Sequence, residues 1–319
     1  MADQVFVSLG PDRAELFRWS DDRLVQATTE REGEGGPVGG LHLGRVVKLE
    51  RALNAAFVEI GLDRPGLLPL KKHDNISEGD AVAVQVRRDA REEKGVRLAR
   101  FNAKPSLVGE KKPPTLLMPP PMLWQTALQA LVPERVDAIH CDRRGDAEKV
   151  IAAAPDLKKK VHHTPRRGWE LSDAAANEEI AAALQEEVPL RGGGHLLIEP
   201  VRTLTAIDVN SGDASARRGE GGGIGETALS VNLAAAREIP IQLALRNIGG
   251  VIVIDFIDIE HRGKRDQVVE ALREAVIVDP AIDWVGNMSR LGLVELKRRR
   301  GGPTLAEMWS RKESVARNP

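Results

Sequence analysis

The chain has 319 residues, a single cysteine (Cys141), no tyrosine, and a net charge of −1 from 46 Lys and Arg against 47 Asp and Glu. One cysteine excludes a disulfide framework and a four-cysteine zinc site within the chain. The balanced charge gives no global basic signature, so any nucleic-acid binding has to rest on local patches. No apolar run reaches the roughly 18 residues that cross a bilayer, and Met1-Ala-Asp-Gln is no signal peptide, so a soluble cytoplasmic protein is expected.

In chain order, the alternating patterns Val5-Phe-Val-Ser-Leu and Ala14-Glu-Leu-Phe-Arg-Trp predict a β-hairpin, followed by a flexible linker, Glu32-Gly-Glu-Gly-Gly-Pro-Val-Gly-Gly40. Between Leu41 and Ala103 five short strand patterns alternate with turn residues, which fits a small OB-type barrel. Lys111-Lys-Pro-Pro-Thr-Leu-Leu-Met-Pro-Pro-Pro121 reads as a stiff connector. A helix over Trp124–Leu131, a strand over Arg135–Asp142 and a helix over Asp146–Ala154 follow. Ser172 caps a further helix over Ala174–Glu187. Strands are predicted over His195–Glu199 and Leu204–Val209. A Gly-rich basic segment, 212–225, leads to a helix over Thr227–Leu245 in which Pro240 is expected to introduce a kink. The remaining elements are a strand into Asp255, a helix over Lys264–Ala275 and a closing strand pair after Trp284.

Two of these strands end in acids: Thr203-Leu-Thr-Ala-Ile-Asp208-Val-Asn210 and Gly250-Val-Ile-Val-Ile-Asp255-Phe-Ile-Asp258. A buried unpaired carboxylate costs several kcal/mol, so two apolar runs that each end in an Asp suggest a shared cation. Asn210 falls on the same strand face as Asp208. The ligands are hard oxygens, which suit Mg²⁺, with Mn²⁺ as a substitute, rather than zinc. Asp at a strand end also serves as a turn former or helix cap, and that structural reading stands beside the metal one. No Ser/His/Asp or Cys/His constellation of recognisable spacing competes. His162 and His163 read as loop residues.

The run Gly192-Gly-Gly-His-Leu-Leu-Ile-Glu-Pro200, Leu204-Thr-Ala-Ile-Asp-Val-Asn-Ser211, Glu226-Thr-Ala, Asn232-Leu-Ala-Ala-Ala, Glu238-Ile and Arg246-Asn-Ile-Gly-Gly-Val-Ile-Val-Ile-Asp-Phe-Ile-Asp258 resembles the catalytic region of the ribonuclease E/G family. Ser289-Arg-Leu-Gly-Leu-Val-Glu295 resembles that family's Ser-Arg-x-Gly-Leu-x-Glu motif. The resemblance implies a metal-dependent endoribonuclease that hydrolyses single-stranded RNA to 5′-phosphate and 3′-hydroxyl ends. Asp208, Asn210 and Asp255 would be catalytic, and Asp208 and Asp255 would hold the metal. It implies an α+β, multidomain fold: an OB-type β-barrel RNA-binding domain inserted before an α/β DNase I-like catalytic subdomain. The expected organisation is an N-terminal hairpin packing on the α/β part (1–35), the OB domain (36–104), the Pro-rich connector with a small α/β subdomain (105–190), and the catalytic subdomain (191–319).

Gly44-Arg-Val-Val, Ala56-Phe-Val-Glu-Ile-Gly and Gly66-Leu-Leu-Pro-Leu resemble the family's OB domain, which implies RNA contacts at Phe57 and at Lys94. Leu67 stands where the family carries a second aromatic, so a weaker grip on RNA is expected. Arg217 and Arg218, in the Gly-rich segment, are candidate clamps on the RNA backbone. Arg166-Arg167, Lys158-Lys-Lys160 and Lys297-Arg-Arg-Arg300 are each either phosphate contacts or solvated charge. The family's Arg-Thr segment for 5′-monophosphates has no counterpart between Phe101 and Val136, and the chain stops before the family's zinc link. A short form is therefore expected, with no zinc, no zinc-linked tetramer and a metal-independent homodimer left open. The alternatives are an RNA-binding or regulatory homologue with weak or no turnover, and a deoxyribonuclease.

Overall fold

The computed structural model describes residues 3–71, 74–90, 95–168, 173–212 and 224–316. The chain forms two units, one of residues 30–126 and one that joins 1–29 to 127–319.

The chain opens with three strands, β1 (Asp3–Leu9), β2 (Ala14–Ser20) and β3 (Arg23–Glu30). The next six strands are β4 (Leu41–Glu50), β5 (Ala55–Glu59), β6 (Gly66–Pro69), β7 (Ala81–Arg88), β8 (Arg97–Arg100) and β9 (Thr115–Met118). Five of them close in the order β4-β5-β6-β8-β7-β4, an OB-like barrel in which β6 and β8 run parallel. Period-2 alternation builds it: Val46, Ala56, Val58, Leu68, Val82, Val84, Val86 and Leu98 fill the interior. At Gly44 a Cβ would come within 2.5 Å of Val58, so glycine lets β4 close against β5. The Pro-rich stretch is more than a connector, because β9 lies inside it and pairs with the start of β4. A short helix, α1 (Pro105–Val108), precedes β9, and α2 (Leu123–Gln129) follows it.

The rest of the chain contains β10 (Val136–Cys141), α3 (Arg144–Ala153), β11 (Val161–His163), α4 (Asp173–Ala183), β12 (Glu187–Pro189), β13 (His195–Pro200), β14 (Thr205–Asn210), α5 (Ile224–Arg246), β15 (Gly250–Asp255), α6 (Arg262–Ala275), β16 (Ile282–Val285), β17 (Leu293–Arg298) and α7 (Leu305–Ala316). The expected hairpin is part of a five-stranded sheet, β11-β10-β1-β2-β3. His162 and His163 therefore sit in a strand and not in a loop. A second sheet runs β12-β13-β14-β15-β17-β16, with β14 and β15 parallel at its centre. One of its faces carries Leu196, Ile198, Ile207, Val209, Ile252, Ile254, Val294 and Leu296, all packed with α5 and α6. Ala235 and Ala236 lie fully buried in α5, where small side chains let a helix approach a sheet closely. The helix continues through Pro240. On α6 the spacing of Val268, Val269 and Leu272 gives one buried stripe.

Candidate active site

Because strand residues alternate between faces, the apolar face of the second sheet fixes the orientation of everything between. Asp208 and Asp255 fall on the opposite, open face, and both are exposed. They are direct register partners across the parallel β14–β15 pair, at the C-terminal end of each strand. Strands pair about 4.8 Å apart, so the two carboxylates stand side by side. Asn210 shares the face and donates from Nδ2 to Asp208 Oδ2 at 2.7 Å, which fixes the rotation of that carboxylate. The structure thus brings together the three sequence-predicted residues Asp208, Asn210 and Asp255.

Two local devices hold the end of β15. Phe256 donates its backbone N–H to Gly292 O at 3.4 Å, and Leu293 pairs with Asp255. Gly292 has φ +82, and a Cβ there would lie 3.1 Å from Phe256 O, so a glycine is required where this turn meets the acid-bearing strand. On the other side, Asn232 is fully buried in α5. Its Nδ2 donates to Ile257 O at 2.8 Å, and its Oδ1 accepts from Ile257 N at 3.0 Å. Asn232 ties down the segment that follows Asp255, and sequence reasoning missed that role. Asp258 lies exposed beyond the strand end.

The open face also presents His195, paired with Asn210, and Glu295, two residues beyond the partner of Asp255. Strand parity in the two flanking strands was the available signal for both. Among the described residues, no group of three His, Cys, Asp or Glu converges as a metal cage. The site offers two carboxylates and an amide, all hard oxygen donors. That set fits Mg²⁺, which keeps several waters and takes one or two carboxylates plus substrate phosphates, and it is poor for zinc.

In the barrel unit, Phe57 is only partly buried and is not part of the core that Ala56 and Val58 join. It lies in a row of register partners across the wall: Lys48, Phe57, Leu67, Arg97 and Arg88. One aromatic, one leucine and three cations share this outer face, with Lys48 ion-paired to Glu50 at 3.2 Å. Lys94, Arg217 and Arg218 lie outside the described residues.

In the other basic clusters, Lys160, Arg166, Arg298 and Arg299 are bonded to the fold, while Lys158, Lys159 and Lys297 are exposed. Lys160 Nζ donates to Pro133 O at 2.7 Å and also to Val136 O, and Arg166 pairs with Glu15 at 2.7 Å. Arg298 is buried against Asp279, with Nε to Oδ2 at 2.5 Å, and also donates to Ile248 O. Arg299 reaches Asp283 and Pro280 O. Cys141 is buried, and its thiol is pushed up to about 12 by burial and by Asp146, so it is no nucleophile at neutral pH.

An OB-like barrel and a mixed sheet with paired acids on its open face define an α+β protein built to present carboxylates at strand ends. The model of the ribonuclease E/G family matches residues 86–301, and the chain belongs to that family. It is 29% identical over 382 residues to ribonuclease E of Haemophilus influenzae, covering 89% of this chain and 40% of that protein. It is 45% identical over 137 residues to ribonuclease E of Nostoc sp., covering 42% of this chain and 19% of the relative. Against ribonuclease G of Escherichia coli K12 it is 26% identical over 398 residues, covering 94% of this chain and 80% of the relative. The chain thus spans less than half the length of these ribonuclease E relatives. The aligned span of 382 residues exceeds the 319 of this chain, so the Haemophilus relative carries internal segments that it lacks. Among the described residues, no helix is long and apolar enough to cross a membrane.

Proposed function

We propose that this chain is a Mg²⁺-dependent endoribonuclease that hydrolyses single-stranded RNA to 5′-phosphate and 3′-hydroxyl ends. The observation that carries the reading is the in-register pair Asp208 and Asp255 on an open sheet face, in a chain of this family. Asp208 and Asp255 would hold the ion. When bound, it would polarise the scissile phosphate and lower the pKa of its water. Asn210 holds the Asp208 carboxylate in one orientation through its Nδ2 hydrogen bond. Gly292, in the turn before β17, and Asn232, on α5, hold the segment that follows Asp255.

On the barrel, Phe57 stacks one base, and Lys48, Arg88 and Arg97 attract the phosphates on either side. Lys94, Arg217 and Arg218 remain proposed RNA contacts. A cytoplasmic location and a homodimer complete the reading. The second reading, an RNA binder with little turnover, draws support from Leu67, which puts an aliphatic residue beside Phe57 where a second stacking ring would strengthen the grip.

The test is cleavage of a labelled single-stranded RNA of mixed sequence in Mg²⁺, in Mn²⁺ and in EDTA. Asp208→Asn and Asp255→Asn should each lower the rate by about 10²–10³-fold or more, with RNA affinity retained. EDTA should stop the wild type. Near-wild-type turnover in either mutant sinks the site assignment, and tight binding without cleavage in both metals favours the second reading.

A further inference from the structure

A cleft of about 320 Å³ is lined by Arg262, Arg265 and Asp266 of α6 and by Asn287, Met288, Ser289 and Arg290 of the turn before β17, the strand that pairs with the one ending in Asp255. Three guanidinium groups against one carboxylate leave it strongly positive, and Arg262 turns toward Asp266 only at 3.9 Å. The charge runs against the local rule for helices. The N-terminal end of α6 is the positive end of its dipole, where acidic residues stabilise and cations do not. Yet the first turn has no acidic residue and no side-chain cap, and it reads Arg262-Gly-Lys-Arg265. Cations placed where the dipole repels them, with no anion of the protein's own in that turn, mark a position that an outside anion completes.

The other wall is firmly built. Ser289 Oγ accepts the backbone N–H groups of Leu291 and Leu293, each at 3.2 Å, and Ser289 N donates to Leu293 O at 2.8 Å. Leu293 is the strand partner of Asp255. The turn that carries Arg290 is therefore fixed to the strand that pairs with the one ending in Asp255. Leu291, the residue that follows Arg290 in the chain, is 81% exposed. Arg273 Nη2 donates to Asn287 Oδ1 at 2.6 Å and ties the two walls of the cleft together.

Resting on the endoribonuclease reading, we infer that this cleft is a phosphate site: Arg262, Arg265 and Arg290 grip a phosphate of the RNA strand next to the scissile bond, and Leu291 packs on the adjoining base. Guanidinium forks match phosphate oxygens bidentately, and the helix end adds its own positive field. The phosphate can come from an internal phosphodiester or from a terminal monophosphate, and the chemistry of the grip is the same.

The test uses the full chain, with an Arg265→Ala, Arg290→Ala double variant and the corresponding double Arg→Lys variant. Binding is measured in EDTA, from about 50 to 200 mM salt, on one short single-stranded RNA made with either a 5′-hydroxyl or a 5′-monophosphate. The alanine variant should bind roughly tenfold more weakly, with a salt slope shallower by about 0.7 for one lost phosphate contact. The lysine variant should recover most of the slope. In Mg²⁺ the alanine variant should raise KM and leave kcat within a few-fold, with an unchanged Tm. Equal loss on both RNAs assigns the site to an internal phosphate, and loss confined to the monophosphorylated RNA assigns it to the end. Unchanged Kd, slope and KM in a chain whose wild type binds and cuts RNA overturns the cleft alone. A wild type that neither binds nor cuts RNA overturns the endoribonuclease reading, and the cleft falls with it.

Discussion

Asn232 sits on a helix face surrounded by alanine and leucine, and its amide satisfies both backbone groups of Ile257. Removing it leaves a buried donor and a buried acceptor without partners, at about 1–3 kcal/mol of stability. Asn232→Ala should therefore lower Tm by several degrees, roughly 2–4 °C for each kcal/mol lost, and reduce kcat more than it raises KM. A variant with wild-type Tm and wild-type kcat would show that the segment after Asp255 holds itself. The contrast with Asp208 and Asp255 is one of chemistry. A carboxylate that ends an apolar run is conspicuous in the sequence, although both acids are exposed on the open face and carry no burial cost. A lone Asn in a helix looks like any surface amide until its depth is known. Lys160, Arg166 and Arg298 teach the same lesson from the other side. As letters they form basic clusters, and in the fold each is bonded to the chain itself.

At the scale of elements, β2 receives both α7 and the segment after β11 through one acid. Glu15 accepts from Lys312 Nζ at 2.9 Å and from Arg166 at 2.7 Å. Burial by itself would raise the pKa of Glu15, but the hydrogen bonds and charges of Lys312 and Arg166 outweigh it and hold the carboxyl below its ordinary value. A carboxyl with a lowered folded pKa stabilises the fold above its unfolded value, and that stabilisation drains away as pH falls through the folded one. Wild-type Tm should thus drop faster than that of Glu15→Gln as pH falls below the ordinary value of 4.5, with the two curves parallel above it. Curves that stay parallel below that value would remove Glu15 from the acid response. Periodicity made β13 to β15, α5 and α6 legible in the sequence, because their apolar residues recur at 2 or 3.6. It left β9, β12 and α7 unread. β9 lies among prolines, β12 is three residues long, and the apolar face of α7 follows a basic run that drew the reading toward charge. The order of strands within the sheets, including the parallel pairing at the site, has no sequence period to betray it.

The whole molecule is discontinuous in sequence: the first 29 residues belong with the part that follows residue 126. β1 pairs in parallel with β10, Arg18 donates to Val278 O at 3.1 Å, and Arg23 pairs with Glu238 at 2.8 Å. Excising 30–126 and joining the ends with a flexible linker should leave one cooperative unfolding transition while RNA affinity falls by at least about tenfold, from lost stacking. Deleting 1–29 should abolish that transition, because β10 loses one of its two partners, the sheet loses three of its five strands and Glu238 loses its cation. An excised chain that binds RNA as tightly as the parent would remove the barrel from recognition. The pairing of Asp208 with Asp255 has a further effect. The two acids are contributed by strands on either side of α5, and they meet only when β15 docks beside β14. A chain whose synthesis halts before Gly250 carries one acid and no second. On the proposed reading, in which cleavage needs both acids, the constellation is a two-key lock: a half-made molecule would be silent without any inhibitor to keep it so.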